Sequence, residues 1–225
     1  GYRDGIEQYQ MLSQEMEEDF YKMIESIKKY GGFYIGRYET GDLSEEEAVV
    51  QKMNNNLGSV NWYEMYEKCK NLSGEKENIE TGMIWGSLWD ETLQWLLESG
   101  AQIQDGENGT RTITEADINT DSKSWGNYIY STFEYTNTNG GTSIKNTNSR
   151  IRIPTGSAEY TKANNIYDLA GNVGDWTLEA YFTYSRVVRG GSYISGSGVS
   201  AGDRNFNGLT NSDSYYGCRG VLYIK

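Results

Sequence analysis

Three observations predict an α+β fold with its helices in the amino-terminal half and loop-rich β structure in the carboxy-terminal half. Apolar residues recur at helical spacing in three stretches of the first hundred residues. From about residue 101 that periodicity disappears, and Gly, Asn, Thr, Ser and Tyr dominate. Short apolar and β-branched runs bounded by turn residues then close the chain. The 225 residues show no internal repeat and no Pro-rich linker. One domain over residues 32–225, with residues 1–31 as a helical extension packed on it, is the economical organisation.

The elements follow in order. Between Glu15 and Tyr30, Met16, Phe20, Met23, Ile24, Ile27 and Tyr30 form an apolar stripe. Lys28 and Lys29 suit that helix's carboxyl end, and Gly31-Gly32 stops it. Phe33–Tyr38 reads as a strand. Asn61 is placed to cap a second helix carrying Trp62, Met65, Tyr66, Cys69 and Leu72 on one face. A third stripe, Trp85, Leu88, Trp89, Leu93, Trp95 and Leu96, ends at Gly100. Later strands are expected at Ile151–Ile153, Tyr184–Arg189 and Val221–Ile224, and Asn137–Asn148 reads as an exposed loop.

Charge and composition exclude several functions. Twenty Lys and Arg stand against 32 Asp and Glu, a net charge of −12. Nucleic acid is a poor partner for such a chain, because phosphate binding needs clustered cations. No apolar run approaches the roughly 18 residues that span a bilayer. Histidine is absent, which removes Ser-His-Asp and Cys-His catalysis and the commonest zinc ligand. Cys69 and Cys218 allow one disulfide or none. A chain that opens at Gly1 without a basic-then-apolar leader reads as a mature form or an excised fragment.

Four ordered segments carry a resemblance: Gly32–Gly41 (GFYIGRYETG), Val60–Leu72 (VNWYEMYEKCKNL), Ile153–Thr177 (IPTGSAEYTKANNIYDLAGNVGDWT) and Arg186–Ser192 (RVVRGGS). They resemble the formylglycine-generating enzyme (sulfatase-modifying factor) family, whose fold is a variant of the C-type lectin fold. The resemblance implies that fold over about residues 32–225. Enzymes of the family hold copper on two cysteines close together near the carboxyl terminus. Only Cys218 lies there, and Cys69 falls on the apolar face of a predicted helix, so a non-enzyme is expected. The family's calcium loop implies Asn172 and Asp175 as ligands, with Asp168 nearby. A structural calcium there suits oxygen donors, although Asn172 and Asp175 can equally bond the turn's own backbone.

The last forty residues add a second resemblance. After Glu179 the chain contains no Lys, Glu, Gln, Trp or Met until Lys225. Randomising only the adenines of an Asn codon, AAC or AAT, yields Tyr, Ser, Gly, Asp, Ile, Val, Phe, Cys and Asn among its products, but never those five types. The segment therefore resembles the variable proteins of diversity-generating retroelements, which carry their variable region at the end of this same type of fold. The variable region is expected at about residues 189–224. Of the 25 residues Ser192–Tyr216, 18 are Ser, Gly, Tyr, Asn or Asp, the palette of antibody loops.

The anchors implied are Arg189, Gly190, Gly191, Arg204, Arg219, Val221, Leu222 and Ile224. The displayed positions implied are Tyr193, Ile194, Ser195, Ser197, Asn205, Phe206, Asn207, Asn211, Ser212, Asp213, Ser214, Tyr215, Tyr216 and Cys218. The function this implies is a ligand-binding display protein of a phage, prophage or bacterial surface, with a protein or glycan ligand and no required cofactor. A calcium-dependent lectin with a fixed ligand, and an unusual oxidase of the family, are the competing expectations.

Overall fold

The computed structural model describes residues 7–42, 47–74, 76–105 and 109–225; the first six residues of the amino-terminal extension lie outside the described residues. The first helix, Glu7–Tyr30 (α1), begins earlier than the apolar stripe requires, because Glu, Gln, Met and Leu continue it at good helix propensity. It ends at Gly31, whose N–H donates to the Ile27 carbonyl at 2.8 Å. Met23 is buried in the core, and Tyr66 Oη donates to Asp19 Oδ2 at 2.7 Å, tying α1 to the next helix.

Asn61 caps that helix, Trp62–Lys70 (α2), as predicted. Its Oδ1 accepts from the Glu64 N–H while Glu64 Oε2 accepts from the Asn61 N–H, a reciprocal capping box. Trp62, Met65, Tyr66 and Cys69 form the buried face. The third helix, Gly86–Glu98 (α3), buries Leu88, Trp89, Leu93 and Leu96. Trp95 departs from expectation. It is 48% exposed, at the edge of the buried stripe beside Leu88 and Thr92. A short fourth helix, Glu115–Asn119 (α4), is capped by Thr114.

Two sheets organise the rest. Tyr34–Ile35 (β1) and Ile79–Met83 (β2) flank the last strand, Gly220–Ile224, in an antiparallel three-stranded sheet, so the first and last strands of the domain are neighbours. The strands between β2 and that last one include Gly174–Phe182 (β3), Ser185–Arg189 (β4), Arg204–Gly208 (β5) and Tyr216–Cys218 (β6), which makes Gly220–Ile224 β7. Their four-stranded sheet has the order β5-β4-β3-β6. The β3–β4 and β4–β5 pairs are antiparallel, and β6 runs parallel to β3, with Trp176 opposite Cys218. Phe33–Tyr38 thus yields only a two-residue strand.

Two further expectations are corrected. Ile151–Ile153 joins no ladder. Its backbone is held by side chains instead, the Ile151 carbonyl by Asn127 Nδ2 and both polar groups of Ile153 by the Asn172 amide. The polar stretch 137–148 is no simple loop either, because Thr142–Lys145 pairs antiparallel with Phe133–Thr136. Lys145 lies fully buried within it, donating to the carbonyls of Tyr128, Ile129 and Ser131. A lysine reads as solvated in sequence, and three carbonyls converging on one ammonium are visible only in the fold.

The buried side chains form two main groups. One centres on Trp89, Trp125, Tyr128 and Leu169, the other on Trp62, Tyr66, Met83, Trp176 and the two cysteines.

Candidate ligand-binding surface

The segment after β4 starts from anchors. Arg189 is fully buried, donating from Nη1 to the Gly202 and Asp203 carbonyls at 2.8 and 3.3 Å and pairing through Nη2 with Asp90. Asp90 also pairs with Arg204, whose Nε lies 3.3 Å from Glu179 Oε1. Gly190 and Gly191 have φ of 82° and 69°, a backbone region where a side chain is strained. Space is closed as well: a Cβ on Gly191 would meet Val199 Cγ1 at 2.5 Å and Tyr128 Cε1 at 2.9 Å. These contacts explain the RGG sequence locally.

Arg219 anchors the other end. It is fully buried and donates to the carbonyls of Gly36 and Tyr167 at 2.9 and 2.8 Å, with its Nε 3.4 Å from Asp175 Oδ2. Val221 is buried in the core, while Leu222 and Ile224 are half-buried.

Between the anchors the expected display residues separate into groups. Tyr193 Oη shares a hydrogen bond with Ser214 Oγ at 3.2 Å, and Tyr215 Oη donates to Asp213 Oδ2 at 2.8 Å. Tyr215 stands edge-on to Tyr216, with ring centroids 4.6 Å apart, and Tyr216 leans on the buried Trp176. Asn207 bonds both Tyr216 Oη and Asn211. Asn205, Asn211, Ser212, Asp213 and Ser214 are exposed. These residues make one polar, aromatic face.

Arg152, a residue the sequence did not single out, borders this face by donating from Nη1 to the Ser214 carbonyl at 3.2 Å. Ile194, Ser195 and Ser197 lie on a neighbouring turn. Ser195 Oγ accepts from the Ser192 N–H there at 3.0 Å, and the turn's Gly196 lies beside the exposed Tyr130.

Phe206 belongs elsewhere. Opposite β4, Asn205 faces Val188, Phe206 faces Val187 and Asn207 faces Arg186. Strand alternation therefore puts Phe206 on the other side of the sheet from Asn205 and Asn207. There it stacks on Tyr181, with Phe182 edge-on to both rings. Tyr181, Phe182 and Tyr184 are all exposed, and an adjoining cleft of about 570 Å³ is lined by Met16, Trp85, Leu178, Tyr181, Phe182 and Arg186. Sequence reading missed this patch. Its signal was the unusual YFTY run at Tyr181–Tyr184 beside a hairpin turn.

Cys218 is a correction. It is fully buried because its place opposite Trp176 turns the side chain into the core, so it displays nothing.

The implied calcium ligands make bonds within the protein. Asn172, at φ 62°, accepts at Oδ1 from Asn127 and from the Ile153 N–H, and donates from Nδ2 to Glu39 and the Ile153 carbonyl. Asp175 faces Arg219. No group of three His, Cys, Asp or Glu side chains that could hold a metal occurs among the described residues. The Asn172 side-chain oxygen and one oxygen of Asp175 are thus engaged by protein partners. Asp168 uses Oδ2 to accept from Thr155 and the Gly156 N–H.

Glu39, another residue missed in sequence, accepts from Asn56, Asn172 and the Val173 N–H while fully buried. Burial, together with the Asp168 and Asp175 charges, pushes its carboxyl well above the usual range.

Comparison with known proteins places the fold. No protein-family model matches the chain, and no curated protein sequence does. Among solved structures it is similar to PvdO from Pseudomonas aeruginosa, with a TM-score of 0.50 and 14% identity over 85% of this chain and 80% of that one. Treponema denticola variable protein 1 aligns with a TM-score of 0.44 and 17% identity, covering 82% of this chain and 77% of that one. CarF aligns at 0.42 and 16%, covering 75% and 67%. The chain is a mixed α/β protein sharing its fold with PvdO. No described helix is long and apolar enough to cross a membrane.

Proposed function

We propose that this chain is a ligand-binding display module of the formylglycine-generating-enzyme-like C-type lectin type, with a carboxy-terminal segment diversified at adenine-bearing codons. One observation supports the reading above others. The segment divides into fully buried arginines that hold backbone carbonyls, Arg189 and Arg219, and a face of Tyr, Ser, Asn and Asp between them. Substitution on that face leaves the anchors in place.

Tyr193 and Tyr215 supply rigid amphipathic area, and Asn205, Asn211 and Ser212 supply adaptable hydrogen bonds. The ligand is a protein or a glycan, for both are met by aromatic area ringed with hydrogen-bonding groups. The module performs no catalysis and needs no cofactor, and it works at a virion or bacterial surface.

Sequencing the 3′ end of the gene across many members of one population tests this. Substitutions concentrated on adenine-bearing codons at Tyr193–Tyr216, with Arg189, Gly190, Gly191 and Arg219 constant, are expected. An invariant 3′ end would overturn the diversification and leave a binding domain with one fixed ligand.

A further inference from the structure

The chain has only two cysteines, and the fold brings them together. Cys69 lies in the last turn of α2 and Cys218 ends β6, 149 positions later. Their sulfurs are 3.1 Å apart and both residues are fully buried, within the apolar group of Trp62, Met65, Tyr66, Met83 and Trp176. We propose that Cys69 and Cys218 are a disulfide-forming pair, oxidised by a thiol–disulfide exchange partner while the chain folds, and that the bond fixes α2 to the strand on which the candidate binding face rests. The inference is independent of whether that face is diversified.

Geometry favours a direct bond over the other uses of two thiols. A disulfide needs its sulfurs about 2.05 Å apart, so closing the present gap moves each by roughly half an ångström, within the reach of small side-chain rotations. Two thiolates on one tetrahedral zinc, with bonds of about 2.3 Å, stand roughly 3.8 Å apart and need further ligands. No third metal-binding group joins them among the described residues.

The chemistry also sets the timing. The attacking species is a thiolate with access to a disulfide. In the folded chain both sulfurs are covered, and the hydrogen bond with Cys69, reinforced by burial, pushes the Cys218 thiol up. Exchange with an external disulfide therefore precedes closure of the Trp62–Trp176 core. One cysteine attacks the oxidant's disulfide and expels its first thiolate. The second attacks the resulting mixed disulfide and expels the other. Two electrons and two protons leave the chain, and the oxidant departs as two thiols.

The test uses the full chain, unfolded and reduced, then refolded either in a glutathione–glutathione disulfide buffer or with excess reductant. Remaining thiols are alkylated in denaturant, and intact mass and melting temperature are measured. The expected oxidised product is a monomer carrying no alkyl group, and it melts at least roughly 5 °C above the reduced one, because a long loop is closed in the unfolded chain. In Cys69→Ala and Cys218→Ala the two buffers should give equal melting temperatures. Two alkyl groups on the wild-type monomer after oxidative refolding, a disulfide found only between chains, or equal melting of the wild type in both buffers would each overturn the proposal. The wild-type measurements stand even if a variant fails to fold.

Discussion

Phe206 lies flat on Tyr181, with ring centroids 4.0 Å apart and planes 8° from parallel. One ring comes from the segment expected to vary and the other from the β3 framework, so the stack couples the two. An aromatic pair of this kind contributes about 0.5–1.5 kcal/mol beyond area burial, and solvent exposure of both rings puts this one toward the lower end. A double-mutant cycle with Tyr181→Ala and Phe206→Ala, followed by urea unfolding, should give a coupling near 0.5 kcal/mol. The same cycle with Phe206→Ala and Tyr215→Ala should give none, because Tyr215 packs on Tyr216 and Phe206 on Tyr181.

Arg189 and Ser197 sit eight residues apart and should behave oppositely. Arg189→Met removes the donors from two carbonyls and one partner from Asp90, and leaves buried acceptors unmet. Asp90 stays half-exposed and keeps Arg204, so the cost is that of the unmet carbonyls, about 1–3 kcal/mol. Ser197 is exposed, so Ser197→Ala should stay within about 0.5 kcal/mol of the parent. Thermal unfolding reads both, and a stable Arg189→Met protein would show that the arginine is no anchor.

Much of this architecture was legible in the residues. Apolar stripes located α1, α2 and α3, and Asn61 marked the cap of α2 directly. The turn-rich character of the carboxy-terminal segment was legible through its composition, and the buried residues that flank it through RGG and the closing VLYI. The rest depended on distance in the chain. Whether Phe206 and Asn207 share a face is fixed by β5 pairing with β4, and burial of Cys218 by β6 lying parallel to β3. The family resemblance implied Asn172 as a metal ligand; its hydrogen-bond partners Glu39, Asn127 and Ile153 are remote in sequence and appear only in the fold. Lys145 was assigned to solvent for the same reason.

Gly191 offers a local test of the turn that launches the carboxy-terminal segment. Gly191→Ala meets both a positive φ and a Cβ contact of 2.5 Å with Val199. Gly198→Ala meets the same backbone penalty at φ 74°, but open space. Positive φ in a non-glycine residue costs about 1 kcal/mol or more, and overpacking adds roughly 1–3 kcal/mol. Gly191→Ala should therefore destabilise the fold by at least about 1 kcal/mol more than Gly198→Ala, as read by denaturant midpoints at equal slope.

The carboxylates beneath this surface make stability depend on pH in an unusual direction. Glu39, Asp168 and Asp175 are fully buried, and Arg219 is the cation paired with Asp175. Burial, opposed by Arg219, pushes Asp175 up to about 6, and burial raises Asp168 as well. One oxygen of each aspartate is buried without a hydrogen-bond partner, which suits a protonated carboxyl better than an anion. A group whose pKa is higher folded than unfolded binds its proton more tightly in the folded state. Its stabilisation is full below the unfolded value of about 3.8 and is lost as pH rises through about 6. The melting temperature should therefore fall between pH 5 and pH 7, by an amount corresponding to about 1 kcal/mol for Asp175. Asp175→Asn, which keeps the shape and removes the titration, should flatten that slope. Melting curves at pH 5, 6 and 7 at constant ionic strength decide the matter, and a wild-type protein that grows more stable across this window would show that Asp175 is ionised throughout.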